Sequence, residues 1–328
     1  MKKRLALGIL GIILGGVFLF LTLKNVQFKE SYAYIRNINL LWLLLAVVIY
    51  ISAFVVRSIR WKYLLAPITN KKPKDLFNYL ILGFFINAIL PLRIGEFIRS
   101  AVTGRKMHVS RSGVLGTVVV ERLFDGISFV TLFLVTINFL AFPAWIKNSL
   151  TSGGALFICG MIFLFFIGRH PRKADKLLSV IPLPAKIRER VRHLMNNFIS
   201  GLKIFSDTKN LIRVYALSLA VWGIEAVVFL VLAMGFGMDI NFFQVLFVMI
   251  VIGLGAILPT APGNVGSVEL FGVKSLSFLG IDVNLAFGFI LVLHVLQLVT
   301  ILSLGIRALF VEKITFHELI QIEKHDKI

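Results

Sequence analysis

With 328 residues, 58% of them hydrophobic and 16% charged, the chain is too apolar for a soluble domain, which lies nearer about 45–50% and 25%. Its single cysteine, Cys159, excludes an intrachain disulfide and a cysteine-ligated metal cluster, and no metal or cofactor is expected. The net charge of +19 would suggest nucleic acid in a soluble protein, but here the basic residues gather at the ends of apolar runs, so no nucleic-acid partner is expected.

The chain opens with MKKR and an apolar run over 5–23. The run is longer than the core of a usual secretory signal and no small-x-small cleavage site closes it, so it reads as a retained first helix. Gly11 and Gly15 within it form GxxxG, a sign of ordinary helix packing. Further spanning helices are predicted at 40–57, 113–140, 153–168, 212–236 and 285–310, the one at 153–168 being short. That makes an all-α polytopic membrane protein with about six spanning helices. Two more apolar regions, 76–104 and 242–280, are broken in the middle by proline and glycine.

The charges give an orientation. Lys2, Lys3 and Arg4 precede the first span, and Arg57, Arg60, Lys62, Lys71, Lys72 and Lys74 follow the second. Arg105, Lys106 and Arg111 follow the first broken region, a basic segment runs from Arg169 to Arg213, and Arg307, Lys313, Lys324 and Lys327 come last. The loops 24–37 and 141–152 hold few basic residues. This pattern predicts a multi-pass plasma-membrane protein with both termini in the cytoplasm.

Basic loops flank 76–104 on both sides, so this region should enter and leave from the cytoplasm. Its arms, 76–89 and 95–104, are too short to span separately, which predicts a re-entrant hairpin. By continuity, 242–280 is a second re-entrant hairpin from the outer side. The unit 40–57, hairpin, 113–140 and the unit 212–236, hairpin, 285–310 then form an inverted repeat, a plan used by transporters. The whole of 1–328 is one integral membrane domain with a basic amphipathic cytoplasmic segment at 170–210. In that segment Ile187, Val191, Leu194, Phe198, Leu202 and Phe205 recur at helical spacing. Two readings of it stand side by side: a helix lying on anionic inner-leaflet lipids, or a helix packed on the cytoplasmic end of the bundle.

The chemistry-bearing residues fall in the breaks and spans. In NAILPLRIGEFIRS, Pro91 ends the first arm and Gly95 lets a helix restart. Free amides at that new N-terminus, with Arg93 just before it, suit a phosphate. Glu96 falls in the first turn, and Arg99 lies one turn further on. In LPTAPGNVGSVE, Pro259 and Pro262 break the helix, Gly263 and Gly266 permit close backbone approach, Asn264 supplies an amide, and Glu269 follows. In ERLFD, Glu121 and Asp125 share a helical face beside Arg122. This group is either part of a binding site or a cluster that locks helices together. Glu225 and His294 lie deep in their spans and are candidates for proton coupling, although a lone histidine is more often a packing residue. Lys274 is expected to snorkel outward.

The stretches LPLRIGEFIR, ERLFD and LPTAPGNVGSVE resemble the transmembrane, flippase-like domain of the lysylphosphatidylglycerol synthase family, and the resemblance covers nearly the whole chain. It implies movement of an amphiphilic lipid between leaflets. It also implies a site made of Arg93, Glu96, Arg99, Glu121, Arg122, Asp125, Pro262, Gly263, Gly266 and Glu269. Full synthases of the family carry a soluble aminoacyl-transfer domain after the membrane part. None follows here before Ile328, so aminoacyl transfer from charged tRNA is not expected. The reading is a translocase for a phosphate-bearing lipid, either an aminoacylated phospholipid or a polyprenyl-phosphate-linked molecule. The alternatives are an intramembrane lipid-modifying transferase and a non-catalytic membrane subunit. A homo-oligomer or a partner enzyme that supplies the lipid is compatible with each.

Overall fold

A computed structural model of the protein describes residues 2–90, 94–170, 184–258 and 260–319, and all regular structure among them is helical. This suits a chain whose backbone polar groups must be satisfied within each segment in lipid. Helix α1 (Lys2–Leu23) leads to α2 (Phe28–Arg36), and the two axes bend by 88°. Then come α3 (Leu40–Leu65), α4 (Pro73–Ile89), α5 (Gly95–Met107), α6 (Arg111–Thr136) and α7 (Ala144–Arg169). The second half holds α8 (Ala185–Leu202), α9 (Thr208–Gly235), α10 (Phe242–Gly255), α11 (Ser267–Phe278) and α12 (Val283–Glu312). Four of these, α3, α7, α9 and α12, are each long and apolar enough to cross a membrane, and the bent pair α1–α2 makes a fifth candidate. At 26 residues α6 has the length, but Glu121, Arg122 and Asp125 interrupt its apolar surface.

Three boundaries differ from expectation. The segment 24–37, expected as a loop, contains α2. It is held because Asn284 at the start of α12 accepts from the Gln27 amide at 2.7 Å and donates to Glu30 at 2.5 Å. The short span at 153–168 reaches back to Ala144, its polar first turns tolerated because Thr151 and Ser152 donate to the carbonyls of Lys147 and Asn148. The span predicted to end at 57 continues to Leu65, because Arg57 and Arg60 are buried inside the bundle and are not loop charges.

Both broken regions fold back on themselves. In the first, Gly95 packs so closely on α4 that a Cβ there would lie 2.1 Å from the Gly83 carbonyl. The Asn87 side chain accepts from the Gly95 amide at 2.7 Å, capping α5 from the end of α4. Replacing Asn87 with Ala is expected to cost about 0.5–2 kcal/mol, read as a lower thermal unfolding midpoint in detergent. In the second, a 3₁₀ turn (Pro262–Asn264) and two glycines with positive φ, Gly263 at 67° and Gly266 at 91°, reverse the chain before α11. A Cβ on Gly263 would lie 3.4 Å from the Ala88 carbonyl, so this break rests against the end of α4.

The outer faces of α1, α3, α7 and α12 are apolar and exposed, as at Phe20, Leu41, Leu156 and Phe310. Helices α3 and α9 pack extensively against each other inside the bundle. Of the basic segment 170–210, residues 171–183 lie outside the described residues. The C-terminal half of α8 is packed against α6: a Cβ on Gly201 would lie 2.2 Å from the Gly113 carbonyl, and Ile199 and Leu202 are buried, as is Phe205 just beyond the helix. Ile187, at the other end of α8, is exposed.

Candidate functional site

Two carboxylates one turn apart on α6 organise the centre of the bundle. Glu121 is fully buried, and Arg99 of α5 donates to it through both terminal nitrogens at 3.2 and 2.9 Å. Arg60 of α3 reaches the same carboxylate at 3.2 Å, and Arg122 donates to it at 2.8 Å. Asp125 accepts from Arg60 at 2.5 Å and pairs with Arg122 at 3.2 Å. Arg60 also donates to Ser218 Oγ of α9 at 2.9 Å, so the network ties four helices. The Arg99 guanidinium stacks over Trp61 at 3.6 Å, and Trp61 donates to Thr117 Oγ1 at 3.3 Å.

Three guanidinium groups share Glu121 and Asp125, Glu96 adds a third carboxylate beside Arg122, and the Nε atoms of Arg60, Arg99 and Arg122 have no partner. Burying such a group without full compensation is costly, so the arrangement persists only if something offsets it. Arg122 differs from the others in having its side chain 39% exposed. It opens on a crevice lined by Gly83, Phe84, Asn87, Glu96 and Arg99, at the junction of the first hairpin with α6.

A second ion pair lies nearby. Arg57 of α3 donates to Glu225 of α9 at 2.9 Å, with its guanidinium among Phe54, Phe84 and Trp222. Glu225 is therefore paired with arginine inside the bundle.

A third group sits at the other break. Glu269 Oε2 accepts from the Gly266 amide at 2.7 Å, capping α11, and Oε1 lies 2.6 Å from His294 Nδ1 on α12. His294 Nε2 lies 2.9 Å from the Gly263 carbonyl. Pro262, Gly263 and Asn264 form the turn itself, and Ser267 donates to the Asn264 carbonyl at 3.0 Å. The Gly15 half of the GxxxG motif is a seat for this turn: a Cβ there would lie 2.8 Å from the Val265 carbonyl. Lys274 is exposed, on the outside of α11.

The predicted residues thus fall into two groups. Arg99, Glu121, Arg122 and Asp125 are brought together, with Glu96 at the crevice beside them. Gly263, Gly266, Glu269 and His294 form a separate knot. Arg93, Pro91 and Pro259 lie outside the described residues. Sequence reasoning missed Arg57, Arg60, Asn87 and Ser218. The signal for the two arginines was available, since Arg57 and Arg60 are three apart in a helix whose pattern runs on through Trp61, Leu64 and Leu65.

Buried ion pairs that join apolar helices, some long enough to cross a bilayer, beside helices broken in mid-sequence, define a multi-pass membrane protein of the all-helical class. Within that class the chain belongs to the family described as the lysylphosphatidylglycerol synthase TM region, whose sequence model matches residues 8–305. It is similar to a UPF0104 membrane protein of Methanothermobacter thermautotrophicus, 21% identical over 320 residues that cover 92% of this chain and 94% of the relative. A UPF0104 membrane protein of Methanocaldococcus jannaschii is 25% identical over 229 residues, 67% of this chain and 91% of that one. Glycosyltransferase AglD of Haloferax volcanii is 23% identical over 257 residues, 69% of this chain but only 41% of that protein.

Proposed function

We propose that the protein is a lipid translocase of the plasma membrane, with both termini cytoplasmic. In this reading the two hairpins enter the bilayer from opposite faces, and the units α3–hairpin–α6 and α9–hairpin–α12 form an inverted repeat. A phosphate-bearing headgroup enters between them while its tails stay in lipid. The observation that carries the reading is Arg122, whose partly exposed side chain opens on the crevice from a buried arginine–carboxylate network. A guanidinium binds phosphate through two nitrogens. Glu96, at the same crevice, suits a hydroxyl or ammonium group on the head. Arg93, Arg99, Glu121, Asp125, Asn264 and the amides of the breaks complete the proposed substrate path, Glu121 and Asp125 chiefly by holding the arginines in place. The lipid is an aminoacylated phospholipid or a polyprenyl-phosphate-linked molecule.

In liposomes holding purified protein, exposure of a phosphate-bearing fluorescent lipid should be at least about tenfold slower for Arg122→Ala, the equivalent of one lost charge-assisted hydrogen bond. Equal rates would remove Arg122 from the mechanism. The match to a glycosyltransferase favours a second reading, an intramembrane lipid-modifying transferase. Formation of a modified lipid by the purified chain with a soluble donor would establish that reading over translocation.

A further inference from the structure

His294 is placed so that both ring nitrogens face oxygen. Nδ1 meets a carboxylate at 2.6 Å and Nε2 meets a backbone carbonyl at 2.9 Å. A carbonyl has no hydrogen to give. A neutral imidazole carries a single N–H and serves one of these acceptors only. The arrangement is complete when the pair holds one more proton than a neutral ring beside a carboxylate. Then Nδ1–H donates to Glu269 and Nε2–H donates to Gly263. When that proton leaves and the remaining N–H stays with the carboxylate, a nitrogen lone pair faces the Gly263 carbonyl across the same gap and the contact turns repulsive. Gly263 lies in the turn that separates α10 from α11, and the Gly266 amide at its other end is held by Glu269.

We propose that Glu269 and His294 form a proton-binding site, and that its occupancy fixes the second hairpin break to α12. Its use as the coupling ion rests on the translocase reading; the binding of the proton does not. The surroundings keep other charges at a distance. The break itself, 256–266, and α10 contain no titratable residue. On α1 none occurs between Gly8 and Leu23, and Gly15, which touches the break, is about 16 Å along the helix from Arg4. On α4 the titratable residues are Lys74, Asp75 and Tyr79, the last about 13 Å from Ala88 at the break. On α11 Lys274 is exposed, and on α12 Arg307 and Glu312 are about 20 Å or more from His294. Helix α2, packed on α12, carries Lys29, Glu30, Tyr32, Tyr34 and Arg36, with Glu30 engaged by Asn284. Helices α3 and α9 carry Tyr50, Arg57, Arg60, Lys62, Tyr63, Lys209, Arg213, Tyr215 and Glu225, with Arg57 and Glu225 paired to each other.

The test uses the full chain in nanodiscs with Cys159→Ser, and spin labels at Leu258→Cys beside the break and Val299→Cys on α12, both exposed positions. Pulsed electron resonance should give one label separation near pH 5 and a second near pH 9, with a single transition between about those limits. His294→Gln should remove the transition. Should that variant fail to purify, Glu269→Gln, which keeps an oxygen but loses the charge, should take the transition out of that range. A separation that is constant with pH in the parent protein, or a transition that is unchanged in both variants, overturns the proposal. Lipid exposure measured on the same samples separates the two ideas: a titrating separation without lipid exposure supports the proton site and removes the translocase reading.

Discussion

Exchanging Glu121 for Gln or Ala should destabilise the protein by about 3–5 kcal/mol, among the largest effects expected of any single substitution in it. The carboxylate receives four guanidinium nitrogens from Arg60, Arg99 and Arg122 and has no exposure. Without it the buried Arg99 loses its carboxylate partner, and Arg60 and the half-buried Arg122 keep only Asp125 in direct contact. The loss should appear as a large drop in thermal midpoint in detergent and a low yield of monodisperse protein. A double-mutant cycle separates the pair from the rest of the network. If Arg99 is there to balance Glu121, then Arg99→Met with Glu121→Gln should be less destabilising than the two single changes added together. Full additivity would show that the two side chains act independently despite their contact.

The second large effect is expected from a single methyl group. Gly266→Ala places a Cβ 2.1 Å from the Gly15 carbonyl, at a residue whose φ of 91° disfavours any side chain. The backbone strain alone costs about 1–3 kcal/mol, and the clash with a backbone atom of α1 adds to it. Gly16→Ala, one residue along α1, meets nothing within 4 Å and should leave the stability within about 0.5 kcal/mol of the parent. Equal effects of the two changes would mean that α1 is not seated on the break.

How much of this was legible follows from what each residue had to face. The helix breaks were readable because proline and glycine act locally: Pro262, Gly263 and Gly266 impose the turn whatever surrounds them. The clustering of Glu121 and Asp125 was readable because residues four apart share a helical face. Their partners were not, since Arg60 approaches from 65 positions earlier in the chain and Ser218 lies 158 positions beyond Arg60. The basic loop rule also misled at Arg57 and Arg60. It treats a run of positive charge as the end of a span, and here buried acids on other helices let the span carry its arginines inward. The pairing of His294 with Glu269 joins two elements 25 residues apart, and neither residue's neighbours announce it.

The seat of α1 bears on how the protein is made. Gly15 meets Gly266, and Gln27 meets Asn284 257 positions later, so α1 and the turn after it dock on segments translated long after them. A chain stalled before the second hairpin is expected to hold α1 without this seat. Docking of α1 therefore waits until the second hairpin and the start of α12 have entered the bilayer.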